Sequence, residues 1–148
     1  MIFNNEKELK KFVLSKCKSS LAKSQERVYE IVDRFLQDFY RDYEPNSYVR
    51  TEQLLHSLVK YKIEPTGNGY ETYVYFDYNS LKYYDGNKPS GKQVMDAAAQ
   101  GLHGAIGSKF QYIEGSVSVW NDPKQILDAH AIEILKDMLV SEGIPITK

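Results

Sequence analysis

Three histidines and two aspartates are the side chains of this sequence best suited to proton transfer. His56, His103 and His130 lie far apart, and none has the spacing of a histidine zinc site such as H-E-x-x-H. His103 lies in a Gly-Leu-His-Gly segment, where an exposed imidazole could act as a general acid or base with Asp77 or Asp85. It could equally fix its loop by a backbone hydrogen bond. No spacing rule selects the two aspartates, so an enzyme that uses His103 is the minor interpretation.

The sequence gives still less support to a nucleophilic active site or to a cofactor-binding site. The single cysteine, Cys17, excludes an intrachain disulfide and a multi-cysteine metal site. It falls on the apolar stripe of a predicted helix, which favours a core position over a nucleophile. The sequence has no nucleophile-elbow motif, phosphate-binding loop or dinucleotide fingerprint. We therefore predict no catalytic residue, no metal site and no cofactor.

Composition indicates one soluble domain over residues 1–148. The chain has a formal net charge of −1 and no apolar run long enough to span a bilayer, and its first residues lack a secretory signal pattern. Since duplex binding depends on neutralising phosphates, we expect no sequence-specific nucleic-acid partner. The N-terminal lysines recur among helical apolar residues and are interpreted as a solvated helix face. They are Lys7, Lys10, Lys11, Lys16, Lys18 and Lys23.

Tyrosine is the unusual residue of this composition. The chain has twelve tyrosines and one tryptophan, and the tyrosines cluster at positions 40–48 and 70–84. Tyrosine has an apolar ring with a polar tip and is enriched at protein interfaces, although it also suits β-strands. We take Tyr48, Tyr73 and Tyr75 as interface candidates.

A long helix is predicted over residues 5–43, because apolar residues recur at steps of three and four without an interrupting proline or glycine. At 1.5 Å per residue it would be about 58 Å long, more than a domain of this size readily covers. The helix must then bend, break near Lys18-Ser19-Ser20, or project to contact neighbours.

The remaining elements predict an α+β fold with an antiparallel sheet and a C-terminal helix packed on it. An Arg-Thr segment (45–58) precedes two alternating runs around a Gly-rich turn, which indicate a β-hairpin over residues 58–78. Residues 79–114 are predicted to be an irregular insertion with a short helix at 94–100, closed by Gly101. A third strand is predicted at 115–120. The last helix starts at Asp122-Pro123 and is capped by Gly143. Its predicted buried face consists of Ile126, Leu127, Ala131, Ile134, Leu135, Met138 and Leu139.

The Arg-Thr segment contains two further candidates. An Arg50 guanidinium can bind a carboxylate or several carbonyls, so Arg50 is either an inter-subunit or fold-fixing contact or an ordinary exposed arginine. Thr51 is a candidate cap for a short helix, and Ser57 ends the segment. The segment reads Pro45-Asn46-Ser47-Tyr48-Val49-Arg50-Thr51-Glu52-Gln53-Leu54-Leu55-His56-Ser57.

This segment resembles the P-x-x-Y-x-R-T-x-x-L-x-x-S signature of small neck and tail-completion proteins of tailed phages and prophages. The order of elements is also similar, with a long first helix, a sheet after the Arg-Thr segment and a final helix. Many members have glycine directly after the Arg-Thr pair, whereas this chain has Glu52. The local turn must therefore accommodate a Cβ.

The resemblance implies a non-enzymatic structural subunit that needs no cofactor. It would form a homo-oligomeric ring at the head–tail junction or tail end of the virion, after synthesis in the bacterial host cytoplasm. Its partners would be itself and connector, tail-tube or terminator subunits, close to packaged DNA but with no membrane. The candidates for assembly contacts or for fixing the fold are Tyr48, Arg50, Thr51, Ser57, Tyr73, Tyr75 and His103. The alternative is a small phage protein that inhibits a host enzyme.

Overall fold

The computed structural model describes residues 2–42, 52–81, 90–103, 111–112 and 116–147. The first helix, α1 (Glu6–Arg41), is continuous, which confirms the long helix and shows no break at Lys18-Ser19-Ser20. Its N-terminus is capped by Asn5, whose side chain accepts a 2.9 Å hydrogen bond from the Glu8 N–H. No described helix is long and apolar enough to cross a membrane.

The predicted β-hairpin is confirmed, and it contains one irregularity. Lys60 lies opposite Val74, whereas Glu64 lies opposite Glu71. Four steps along the first strand therefore match three along the second, so the first carries one extra residue, as in a β-bulge. The four strands are β1 (Leu58–Lys60), β2 (Glu64–Pro65), β3 (Tyr70–Glu71) and β4 (Val74–Phe76), with β1 paired to β4 and β2 to β3, both antiparallel.

The hydrophobic core lies around the C-terminal half of α1. Val32 and Leu36 are fully buried there, because they recur at a helical spacing that places both on one face. A single turn of 3-10 helix (Leu55–Ser57) leads into β1 and brings leucines from both of its ends into this core. The buried core residues are Val32, Leu36, Phe39, Leu54, Leu58, Leu81, Met95, Ala98 and Val119.

The last helix, α3 (Asn121–Ser141), lies antiparallel to α1, along its length. Ser20 of α1 contacts Met138 near the end of α3, whereas Asp42 after α1 contacts Val117 before α3. Packing is therefore mainly helix on helix, which corrects the prediction that this helix packs on the sheet. Buried Ser20 and Ser24 lie in the stretch of α1 where a break or projection was considered. Small side chains there let the two helices approach closely.

α3 ends as predicted, but its buried face is narrower than predicted. Gly143 has φ 81°, and the N–H of Ile144 donates to the Leu139 carbonyl (3.0 Å), the pattern of a Schellman cap. Ile126, Ala131 and Leu135 were predicted to be buried, but all three are exposed.

The region predicted to be an irregular insertion contains regular structure in its described part. A second helix, α2 (Gly91–Ala98), begins earlier than predicted, because Ser90 and Gln93 form a reciprocal capping box. Gly101 follows in the left-handed conformation (φ 72°) as the predicted stop. Two short antiparallel strands then pair, β5 (Leu102–His103) and β6 (Gln111–Tyr112).

The predicted third strand is wrong at the described residues 116–120, which are irregular. Backbone N–H groups of this segment donate to acceptors that do not belong to a neighbouring strand. Val119 donates to the Ala98 carbonyl (3.1 Å), and Ser118 donates to the carboxylate of Asp122 (2.8 Å). The Ser118 hydroxyl accepts in return from the Asp122 N–H (2.8 Å). This segment therefore leads into α3, and its Val119 side chain forms part of the hydrophobic core.

Candidate interaction surface

Three of the residues singled out from the sequence, Tyr48, Arg50 and Thr51, lie outside the described residues, as does Asp85. The other candidates occupy three different places. Tyr73 and Tyr75 lie on the outer face of the hairpin, Ser57 is buried beneath it, and His103 is buried against α1.

Three tyrosines form one aromatic surface on the hairpin. Successive strand residues point to opposite sides, so Tyr61, Tyr73 and Tyr75 share the side that faces away from α1. The rings of Tyr61 and Tyr73 are stacked, with centroids 4.3 Å apart and planes 9° apart. The Tyr75 ring lies 5.6 Å from that of Tyr73. Tyr73 and Tyr75 are 51 % and 37 % exposed. We call these three residues the tyrosine face.

A small charged group borders the tyrosine face. Lys62 pairs with Glu64 at 2.6 Å, and the phenol of Tyr61 hydrogen-bonds the same carboxylate. Desolvation and the Glu64 carboxylate raise the pKa of Tyr61, so its phenol stays protonated. The Lys62 hydrogen bond lowers the pKa of Glu64, which therefore stays ionised. An aromatic centre with a charged rim is the usual composition of a protein-binding patch.

The bulge is held against α1 by a side chain that sequence reasoning missed. The Gln25 amide donates to the Tyr61 carbonyl (2.6 Å), and the Thr72 hydroxyl donates to the same oxygen (2.8 Å). A carbonyl left out of the ladder by a bulge thus regains two donors. Gln25 lies on a polar stretch of the helix, and no local pattern distinguishes it.

Lysines of both elements reinforce this contact. Lys60 pairs with Glu26 of α1 at 2.6 Å, and its ammonium lies 4.9 Å from the centre of the Tyr29 ring. The Glu26 hydrogen bond raises the pKa of Lys60. Lys18 lies over the ring of Tyr70 in the same manner. The inner side of the hairpin is therefore occupied by α1, and Tyr73 and Tyr75 of the tyrosine face stay exposed on the other side.

Ser57 connects the Arg-Thr segment to the hairpin. Its hydroxyl donates to the Leu54 carbonyl (2.7 Å), and its own carbonyl accepts from the Asp77 N–H (2.7 Å). The side chain is fully buried, so a partner cannot reach it in this conformation. Its place is that of a fold-fixing residue.

His103 is packed rather than presented to solvent. Its ring is stacked on Phe39 at 3.9 Å between centroids and 11° between planes, and its Nε2 lies 2.5 Å from the Ser116 hydroxyl. The side chain is buried, which contradicts the exposed general acid or base considered above. The stacking of His103 on Phe39 thereby joins β5 to α1. Asp77, which was considered as a catalytic partner of His103, instead accepts from the Asn79 N–H (3.1 Å) and caps a turn.

A second polar contact joins the two long helices. The Glu142 carboxylate receives a hydrogen bond from the Ser19 hydroxyl (2.8 Å) and pairs with Lys16 (3.3 Å) and Lys23. These donors lower the pKa of Glu142 to about 2, Lys23 contributing most. The side chain is only 11 % exposed. We call these four residues the Glu142 cluster. The Gly143 cap places Glu142 at this position.

Glu52 has the conformation for which glycine is best suited. Its φ is 55°, the one positive value among the described non-glycine residues. A Cβ is disfavoured in that region. The resemblance noted above has glycine at this position in many members, and the structure gives a physical reason for that preference. In this chain the turn has a Cβ at this position, which lowers the stability of the folded state.

No group of three or more histidine, cysteine or acidic side chains within the described ranges could hold a metal ion. The described features thus define a small α+β protein whose most distinctive exposed feature is an aromatic surface. The chain belongs to the YomN family, whose profile matches residues 5–141. The family is phage-associated. No curated protein and no solved structure matches the chain.

Proposed function

We propose that this protein is a virion structural subunit of a tailed phage, at the head–tail junction or in a tail-completion ring. It acts by protein–protein assembly, without catalysis or a cofactor. The membership in a phage-associated family supports the setting. The tyrosine face is the observation that carries the assembly role, because its rings are pre-stacked and exposed on a hairpin that is fixed to α1.

The energetic argument favours binding by this surface. Tyrosine buries a large area at a low cost in side-chain entropy, since it has two rotatable angles. Stacking already restricts Tyr61 and Tyr73, so less freedom is lost when a partner covers them. Aromatic anchors of this kind are typical hot spots. The partners proposed are neighbouring structural subunits and further copies of this chain.

The test combines purified particles with a matched pair of variants. Mass spectrometry of particles from an amber mutant, complemented in trans, should detect the wild-type chain in several copies. Tyr73→Ser with Tyr75→Ser should reduce incorporation strongly, because both anchors are lost. Tyr78→Ser is the control, since Tyr78 is similarly exposed but lies outside the tyrosine face. Absence of the wild-type chain from particles would sink the proposal.

Inhibition of a host enzyme remains the competing proposal, because an exposed aromatic surface suits a host protein as well. It predicts a chain that is absent from particles and forms a stoichiometric complex with one host protein. Loss of that complex in the Tyr73 and Tyr75 variant would favour it.

A further inference from the structure

We infer that the outer edge of β4 pairs with the same edge of a second copy of this chain. The two β4 strands run antiparallel about a twofold axis at Tyr75, so that two hairpins form one continuous sheet. The inference goes beyond the proposed function, because it assigns a contact between two copies that needs no other virion subunit. It concerns the backbone edge of the hairpin, which adjoins the tyrosine face.

The hydrogen bonds of the hairpin show which backbone groups of β4 point outward. The Tyr61 N–H donates to the Tyr73 carbonyl (2.9 Å), and Lys60 and Val74 are the next pair along the ladder. In an antiparallel pair, hydrogen-bonded residues alternate with residues whose backbone groups point away from the partner strand. The N–H and C=O groups of Val74 and Phe76 therefore point away from β1.

The outward groups of Val74 and Phe76 have no hydrogen-bond partner among the described residues. The alternation extends to the end of the ladder, where the Asp77 N–H donates to the Ser57 carbonyl (2.7 Å). Backbone N–H and C=O groups need hydrogen-bond partners, and a row of unpaired ones on an edge strand is a template for another strand. The chemistry of this edge thus selects an extended strand as its partner.

The composition of β4 leaves this edge unprotected. Natural edge strands usually carry charges, proline or a bulge that prevent pairing with another chain. Residues 72–76 read Thr-Tyr-Val-Tyr-Phe, all of which favour β-strands, and none of them is charged. The other strand of the hairpin differs, because it carries Lys60, Lys62 and the bulge. Of the two edges, that of β4 is therefore the one suited to pairing.

The outward groups of β4 complement those of a second copy. With Tyr75 opposite Tyr75, Val74 of each copy lies opposite Phe76 of the other. Two residues opposed in this way exchange both of their N–H···O=C hydrogen bonds. The twofold axis repeats the pair, so every outward N–H and C=O of Val74 and Phe76 gains a partner. The edge is thus complementary to itself.

Charge favours this register over the neighbouring one. Shifting one strand by two residues would place Asp77 of one copy directly opposite Glu71 of the other, and like charges in that position are destabilising. In the proposed register, Asp77 lies opposite Tyr73. Glu71 lies opposite the uncharged Asn79. A shift in the other direction would pair the strand with the 3-10 turn that begins at Tyr78. The contact therefore has one favoured register.

Apolar side chains on both sides of the sheet are covered further in this contact. Val74 and Phe76 point to the inner side, where they pack on the core but are only half-buried. Each would lie beside the other residue of the second copy, which removes more apolar surface from water. On the outer side, the two Tyr75 rings meet across the axis. The tyrosine face then extends over both copies as one surface.

Disulfide formation in the purified full-length chain tests the contact. In a Cys17→Ala background, Tyr75→Cys places two thiols directly opposite each other, with Cβ atoms about 5 Å apart. Tyr73→Cys is the matched control, because residue 73 is more exposed on the same face, yet its two copies would lie about 14 Å apart. Since a disulfide cannot bridge that distance, we expect the Tyr75→Cys dimer to form at least about tenfold faster on mild oxidation.

Charged substitutions at position 75 supply a second measurement that needs no cysteine. In sedimentation velocity the wild-type chain should behave as a dimer. Tyr75→Lys and Tyr75→Glu each place like charges opposite each other, so either variant alone should be monomeric. Their mixture should form a heterodimer, because opposite charges then face each other. Circular dichroism melting checks that each variant is folded.

Three results would overturn the inference. They are a wild-type chain that is monomeric at every concentration, a Tyr75→Cys dimer that forms no faster than that of Tyr73→Cys, and no heterodimer on mixing the charged variants. Faster cross-linking between Tyr73→Cys and Tyr75→Cys chains than within Tyr75→Cys would reveal the shifted register and would also overturn it. The proposed function fails differently, by absence of the chain from particles while the purified chain still forms this dimer.

Discussion

Along α1, the C-terminal half buries Val32, Leu36 and Phe39, whereas the N-terminal half buries Ser20 and Ser24. The C-terminal half is stabilised by removing apolar surface from water, a contribution that does not depend on titratable groups. The N-terminal half depends on hydrogen bonds and on the charges of the Glu142 cluster. One helix therefore has a C-terminal half whose stability comes from apolar burial and an N-terminal half whose stability depends on pH and salt.

The largest effect should come from the core half. Leu36→Ala removes a fully buried side chain and leaves a cavity, so the free energy of unfolding should fall by about 2–5 kcal/mol. Leu9→Ala is the matched control in the other half, because the chemistry and helix propensity change equally but Leu9 is exposed. It should cost less than about 0.5 kcal/mol. Urea unfolding measures both, and equal losses would contradict the comparison.

The N-terminal half should respond to pH instead. The folded-state pKa of Glu142 is about 2, below its usual value of 4.5, so its ionised form favours the folded state. This contribution is present above about pH 4.5 and is lost as the pH falls toward 2. Glu142→Gln should therefore be less stable than wild type at pH 7, and the difference should shrink on acidification.

Thermal unfolding from pH 7 to pH 2 measures this difference. Glu133→Gln is the control, because it removes a carboxylate from the middle of α3 and leaves the Glu142 cluster intact. A Glu142→Gln difference that is the same at every pH would contradict the assignment.

The smallest effect is expected at Glu52, which precedes the buried core residue Leu54. Glu52→Gly should raise the free energy of unfolding by about 1 kcal/mol at most, because it removes the cost of a Cβ at φ 55°. Glu30→Gly within α1 should instead lower it by about 1 kcal/mol. The two urea midpoints should move in opposite directions, and a loss at both positions would refute the strain argument.

Prediction from the sequence succeeded where a signal is local. The long helix, the hairpin and the Gly143 cap follow from periodicity, turn residues and the one conformation that glycine tolerates. The prediction of a strand failed at residues 116–120. Apolar residues that alternate with polar ones also occur in an irregular segment that buries a side chain in the core. The start of α2 differs from the prediction because the Ser90–Gln93 capping box begins the helix ahead of its first apolar residue, Val94.

The candidate site divides in the same way. The tyrosine clusters of the sequence made Tyr73 and Tyr75 interface candidates, and the structure leaves both exposed on the outer face of the hairpin. The stacking partner Tyr61 and the bulge-filling Gln25 depend on the register of the hairpin and on its docking to α1. Neither is encoded in a short window. His103 was buried by Phe39, which lies more than sixty residues away.

The sequence by itself therefore determined the long first helix, the hairpin, the last helix and the phage-associated family, because these depend on neighbouring residues and on a pattern that spans the chain. Only the tertiary structure decided which faces are covered. It placed α3 on the serines of α1, buried His103 and left Tyr73, Tyr75 and Ile132 exposed. The physical reason is that burial is a property of pairs of distant segments, and a side chain's chemistry does not reveal what will pack against it.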